Sequence, residues 1–252
     1  MTLASRTPTR IQLCGTTIVE AGGERLEGRL PGRQGRILFA YLVLNRDRPS
    51  SRPELAEAVW PGQGGAASET GLTPLISKLR RMLGADRIDG HATVRLVLDA
   101  DTRVDVEDAV RAAHRAESQL ALGNYAGAWA PSLASLFVSE REFLAGEKNL
   151  WVDEQRRFMA GVRTRALEAY AAACAGMGGT ELPAAVRASR ELVRLAPLRE
   201  SGYQLLMRAL RDEGNPAEAL TVYSELRAVL RDELGISPSP ASQAMYDELI
   251  RG

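Results

Sequence analysis

Thr70, Thr73, Ser77, Lys78, Arg80 and Arg81 fall along one side of a segment whose other side carries Leu72, Leu75, Ile76, Leu79 and Leu83. The apolar set recurs at spacings of three and four, the pattern of a helix with one buried stripe. The polar set then forms a short face of hydroxyls and fixed positive charge. Such groups suit hydrogen bonding to base edges in a major groove and to phosphate oxygens. The same face also suits plain solvation, so the surrounding elements must decide between the two. Further candidates for gripping phosphate are Arg33 and Arg36, at the start of one predicted helix, and Ser51 and Arg52, at the start of another. Helix N-termini favour anions, and guanidinium groups match phosphate geometry. Arg95, on a predicted hairpin, is placed to approach a minor groove or a phosphate.

No comparable pattern supports catalysis, a cofactor or a metal. The two histidines, His91 and His114, stand apart from any cysteine or carboxylate at ligand spacing and read as surface residues. Gly62-Gln63-Gly64-Gly65 is glycine-rich, but no Lys-Ser/Thr pair follows it to hold a phosphate. No serine or carboxylate sits in a recognisable nucleophile arrangement. The reading is therefore of a protein that is not an enzyme and uses no cofactor.

Across 252 residues, 32 basic side chains balance 32 acidic ones. The balance is uneven along the chain: residues 1–100 hold 14 Lys and Arg against 10 Asp and Glu, and the remainder is acidic by the same margin. This fits a modestly basic binding half joined to an acidic partner half. A coding bias toward Arg and Ala accounts for the preference for Arg over Lys. The longest apolar run, Ile37 to Leu44, is too short to cross a bilayer, and the N-terminus has no export signal. Cys14 and Cys174 read as buried thiols in a reducing cytoplasm.

The elements around the polar face follow from local signals. Short apolar segments at Ile11–Leu13, Ile18–Val19, Leu26 and Leu30, broken by glycines, predict a small antiparallel sheet. Gly35 to Asn45 reads as a buried helix. Ser51-Arg52-Pro53-Glu54 forms a capping box opening a second helix, which ends at Trp60-Pro61. A Gly/Ala-rich loop, Gly62 to Ala67, leads to the third helix, which closes at Gly84. Pro74 interrupts that helix, so it is expected to begin near Thr73 or to be distorted there. Arg87–His91 and Val94–Leu98 predict a hairpin. Sheet, three helices and hairpin make a winged helix-turn-helix over residues 1–103.

From Val104 the chain turns helical. Gly123, Gly179 and Gly214 each precede an alanine by five residues, and the last two lie 35 residues apart, near the tetratricopeptide period. A longer helical stretch, roughly Glu140 to Ala175, separates the first two units. Residues 104–252 therefore read as a repeat domain that binds helices or peptides on a curved surface. Trp129 and Trp151 are candidate anchors there, although aromatics at helical spacing are usually core.

Six blocks in order carry a family resemblance. They are Leu38 to Leu44, Glu54 to Pro61 and Ile76 to Leu83, then Arg194 to Glu200, Leu205 to Leu220 and Leu230 to Pro240. The chain resembles the SARP family (Streptomyces antibiotic regulatory proteins), with a winged helix-turn-helix followed by a bacterial transcriptional activator domain. The resemblance implies a sequence-specific DNA-binding activator that sits on promoter direct repeats as a homodimer or as side-by-side protomers and recruits RNA polymerase holoenzyme. It also implies pathway-specific control of secondary metabolism. Larger relatives add an ATPase or phosphopeptide-binding domain, neither of which this sequence shows. The wing departs from the family, with Thr93-Val94-Arg95-Leu96 where a Gly-Tyr step is common, and Pro74 is a second departure. The competing reading is a protein-interaction adaptor that uses its repeat groove and has lost DNA binding.

Overall fold

The computed structural model describes residues 8–63 and 66–251, with the backbone alone for 66–69. Gly64 and Gly65 of the expected loop lie outside the described residues. The chain divides into two compact units, and each is discontinuous: Met1–Asp108 with Arg141–Met159, and Ala109–Glu140 with Ala160–Gly252.

The first unit opens with β1 (Arg10–Gln12), β2 (Ile18–Ala21) and β3 (Glu24–Arg25), then α1 (Gly32–Leu44), β4 (Ser50–Ser51), α2 (Arg52–Val59) and α3 (Ala66–Leu83). The wing follows as β5 (Ile88–Asp89) and β6 (Thr93–Leu96), and β7 (Arg103–Val104) returns to the start. One sheet has the order β3-β2-β1-β7, antiparallel except for the parallel pair β1–β7; the other is β4-β6-β5. Alternation explains the wing: Val94 and Leu96 are buried and Arg95 between them is exposed. Ile11, Phe39, Leu55, Leu72 and Leu79 share the unit's buried interior. This is a winged helix-turn-helix.

Three expectations need correction. Leu26 and Leu30 are buried but flank a 3₁₀ turn, Glu27–Arg29, rather than lying in strands. α3 starts at Ala66, so Thr70 and Thr73 are already helical and Pro74 lies inside the helix. Pro74 and Thr70 are both exposed, so the backbone bond that Pro74 does not make is lost on the solvent side. Third, residues 140–149 are not helical. Leu144 donates its backbone N–H to Leu13 at 2.8 Å, Gly15 donates to Glu142 at 2.8 Å, and Phe143 bridges to Cys14. Pairing with a distant strand end replaces the local helix, and Leu144 takes a left-handed conformation, φ 41°, to allow it.

The segment Arg141–Met159 is fastened further by side chains. The Arg156 guanidinium donates to the carbonyls of Phe143, Leu144 and Glu147 at 2.9–3.1 Å. Asn149 works in two directions. Its Nδ2 donates to the carbonyls of Ala58 and Val59 at 3.1 and 3.3 Å, satisfying the end of α2. Its Oδ1 accepts from Trp151 N at 2.9 Å, at the start of the helix beginning at Leu150. Trp151 packs on Tyr41 and edge-on to Phe143, with centroids 5.2 and 5.8 Å apart.

The second unit is helical: α4 (Asp105–Ala121, from Ala109), α5 (Tyr125–Ser139), α6 (Leu150–Met177, from Ala160), α7 (Leu182–Leu195), α8 (Glu200–Asp212), α9 (Pro216–Leu234) and α10 (Pro240–Arg251). Tyr203, Met207, Leu210, Ala219 and Leu226 centre its larger core. Two of the three glycine turns do what their spacing predicts: Gly123 and Gly214, at φ 70° and 90°, end helices, and buried Ala128 and Ala219 let the next helices pack closely, whereas Gly179 opens a 3₁₀ turn and Ala184 is only half-buried. The Ser-Pro exit is latched by Glu200, whose carboxylate accepts from Ser239 N at 3.0 Å, Ser239 Oγ at 2.7 Å and Ser242 Oγ at 2.6 Å.

Candidate nucleic-acid interface

Ser51 is the N-cap of α2, and the capping box is complete: Glu54 N donates to Ser51 Oγ at 3.4 Å while Ser51 N donates to Glu54 Oε2 at 3.3 Å. The Glu54 carboxylate also accepts from Arg48 at 3.2 Å and from the Tyr41 hydroxyl at 2.5 Å. The Arg48 hydrogen bond is the main reason its pKa is held down to about 2. Burial first, and then Glu54, push the Tyr41 phenol up to about 12. The entry to α2 is therefore fixed by a partly buried network that Arg48 closes from the solvent side.

Arg52, in the first turn of α2, donates to Thr73 Oγ1 on α3 at 2.8 Å, so two predicted contact residues meet. Along α3, Thr70, Thr73, Ser77, Lys78 and Arg81 are all exposed, and Lys78 and Arg81 make no ion pair among the described residues. Arg80 differs. It is half-buried, with its Nε donating to Ile88 O at 3.1 Å and its guanidinium reaching Gly90 O. It ties the helix to the wing. Gly90 makes that tight turn possible: φ is 86°, and a Cβ would lie 2.0 Å from Thr93 O. Arg95 is exposed on β6, and its Nε donates to Arg46 O at 3.1 Å.

Arg33 and Arg36 form a separate cluster on α1. Both clasp the buried carboxylate of Glu147, at 3.2 and 2.7 Å. Sequence reading missed Glu147, Asn149 and Arg156. Asn149 carries a local signal, an Asn just ahead of a helix; Glu147 meets charges more than a hundred positions earlier, and Arg156 reaches carbonyls 9–13 residues back that only the non-helical turn brings to it. The arrangement offers cationic and hydroxyl donors on a helix face, with a hairpin held beside it. Among the described residues no group of His, Cys, Asp or Glu is placed to hold a metal ion, and no helix is long and apolar enough to cross a membrane.

Residues 58–250 match the family model of the bacterial transcriptional activator domain. The regulatory protein AfsR of Streptomyces griseus is 28% identical over 257 residues, covering 96% of this chain and 24% of AfsR. The transcriptional regulatory protein EmbR of Mycobacterium tuberculosis is 26% identical over 230 residues, covering 86% of this chain and 57% of EmbR. The chain thus spans about a quarter of AfsR and little more than half of EmbR. The structure of M. tuberculosis EmbR in complex with a low-affinity phosphopeptide matches 96% of this chain and 65% of its own, with a TM-score of 0.83 at 22% identity, so the fold is shared. With that family model matched over most of its length, the chain belongs to the bacterial transcriptional activator domain family, of the SARP type.

Proposed function

We propose that this chain is a sequence-specific DNA-binding transcriptional activator whose α3 enters the major groove. The observation that carries the reading is the exposed face of α3. Lys78 and Arg81 stand beside Thr70, Thr73 and Ser77 with no acidic partner among the described residues, between a capped α2 and a wing. The hydroxyls suit base edges, and the two cations suit phosphate or guanine. Ser51 and Arg52 present the α2 N-terminus to the backbone, and Arg95 approaches it from the wing. Arg33 and Arg36 add phosphate contacts to the extent that Glu147 leaves their donors available. DNA reading is assigned to residues 1–103 and partner contact, RNA polymerase included, to 104–252. Side-by-side protomers would read direct repeats about 10–11 base pairs apart, or a multiple of that spacing. The relatives named as regulators support the reading.

The test is the salt dependence of binding to fragments of the promoters neighbouring the gene. Each neutralised phosphate contributes about 0.9 to the slope of log affinity against log salt. Lys78→Ala and Arg81→Ala should each weaken binding and lower that slope by roughly one unit. Arg80→Ala should also weaken binding, but through the wing it holds. A second reading, a protein-interaction adaptor, is favoured by one observation: Arg33, Arg36, Arg80 and Arg95 all have partners within the protein. A flat salt response, with Lys78→Ala binding as the parent does, would select the adaptor.

A further inference from the structure

Thr70, Pro74, Ser77 and Arg81 follow one another at steps of four, three and four, so they stand in one line along α3. All four are exposed. Thr73 flanks this line toward α2, where Arg52 donates to its hydroxyl at 2.8 Å, and Lys78 flanks it on the other side. In a helix laid along a groove, the central line goes deepest and the flanks face the walls.

A proline inside a helix gives up a backbone hydrogen bond, and no residue suits the place less. Pro74 is exposed, so core packing does not require it. Its ring does put methylene groups on the outer surface of α3, between Thr70 and Ser77. One group on the major-groove edges suits an apolar contact of this kind, the thymine C5-methyl. Arg81, exposed and in no ion pair among the described residues, presents donors alone. The edge that matches it is guanine, with acceptors at O6 and N7. Adenine is read in pairs of bonds by Asn or Gln, and the cytosine amino group by Asp or Glu. From Thr70 to its end α3 has none of these four.

We propose that α3 selects its sites by two base contacts: Pro74 against a thymine methyl and Arg81 on a guanine. The two residues are two turns apart, about 10.5 Å along the helix axis, which spans about three base pairs of duplex. Each half-site therefore carries a thymine and a guanine about that far apart. Lys78, on the flank, holds phosphate and carries no sequence preference. This division of labour rests on the DNA reading above. It gives the proline within α3 a task that alanine, the better helix former, would not perform.

The test selects binding sites for the full chain from a random duplex library, then measures affinity for the selected duplex with one base altered at a time. Replacing the thymine by uracil removes only the methyl and should weaken binding severalfold. Pro74→Ala should be blind to that change, and because it restores a helix donor it does not unfold α3. Replacing the guanine by 7-deazaguanine should weaken binding about tenfold or more. Arg81→Gln should move the preference at that pair from guanine to adenine, which the loss of a phosphate contact cannot do. Lys78→Ala should weaken binding to every duplex and leave the preferred bases unchanged. Selected sites indifferent to uracil or to 7-deazaguanine, or an Arg81→Gln protein with the parent's preference, overturn the proposal and leave the DNA reading standing. A chain that binds no duplex even at low salt overturns both.

Discussion

Glu54 caps α2, accepts from Tyr41 and pairs with Arg48, and one charge serves all three bonds. Its pKa of about 2 in the fold lies below the ordinary glutamate value of 4.5. A depressed carboxylate stabilises the fold above the unfolded pKa, and that contribution is lost as pH falls through the folded one. Thermal unfolding followed from pH 5 down to pH 2.5 should show the parent losing stability. Glu54→Gln should be less stable than the parent at pH 7 and should lose less over the same window. Cys14 sits at the other extreme. Burial, with Asp105 adding to it, pushes its thiol up to about 12, so the native protein should hold almost no thiolate there. Alkylation of Cys14 by iodoacetamide at pH 8 should proceed only as fast as the first unit opens. Mass spectrometry of native and denaturant-treated protein would measure this.

At the level of elements, the wing depends on Gly90, where a side chain would meet the Thr93 carbonyl. Gly90→Ala should cost about 1–3 kcal/mol of strain, read as a lower unfolding midpoint. It should also loosen the Arg80 contacts made there while α3 itself stays helical, and under the proposed DNA reading promoter binding should weaken. Much of this level was legible in the sequence, because its causes are local. The Ser51–Glu54 box, the alternation of Val94, Arg95 and Leu96 and the glycines before Ala128 and Ala219 all act within a few residues. What escaped reading acts at a distance. Residues 140–149 have helix-forming neighbours, yet their backbone pairs with Leu13 and Gly15 more than a hundred positions earlier. Arg80 is indistinguishable from Arg81 in sequence, and only the fold turns one toward carbonyls and leaves the other exposed. The candidate face was therefore read correctly as a helix face, but its cations were not all read as engaged or free.

For the whole molecule, the first unit is incomplete without Arg141–Met159. Phe143, Leu144 and Val152 are buried there, and a fully buried side chain of this size contributes about 1.5–3 kcal/mol. A fragment of residues 1–108 should therefore unfold at much lower temperature than the parent, or fail to fold, by calorimetry. Asn149→Ala in the full chain should show a milder form of the same effect, about 1–3 kcal/mol, because the carbonyls ending α2 lose their donor. The discontinuity also sets an order of events during synthesis. A ribosome making about 5–20 residues per second needs several more seconds after Asp108 before Met159 emerges. Through that interval the nascent α1, α2 and α3 lack the segment that completes their core. A winged helix of this design reaches its finished form only on a polypeptide that has already made the first helices of its repeat, so products of translation aborted before Met159 would lack a finished winged helix.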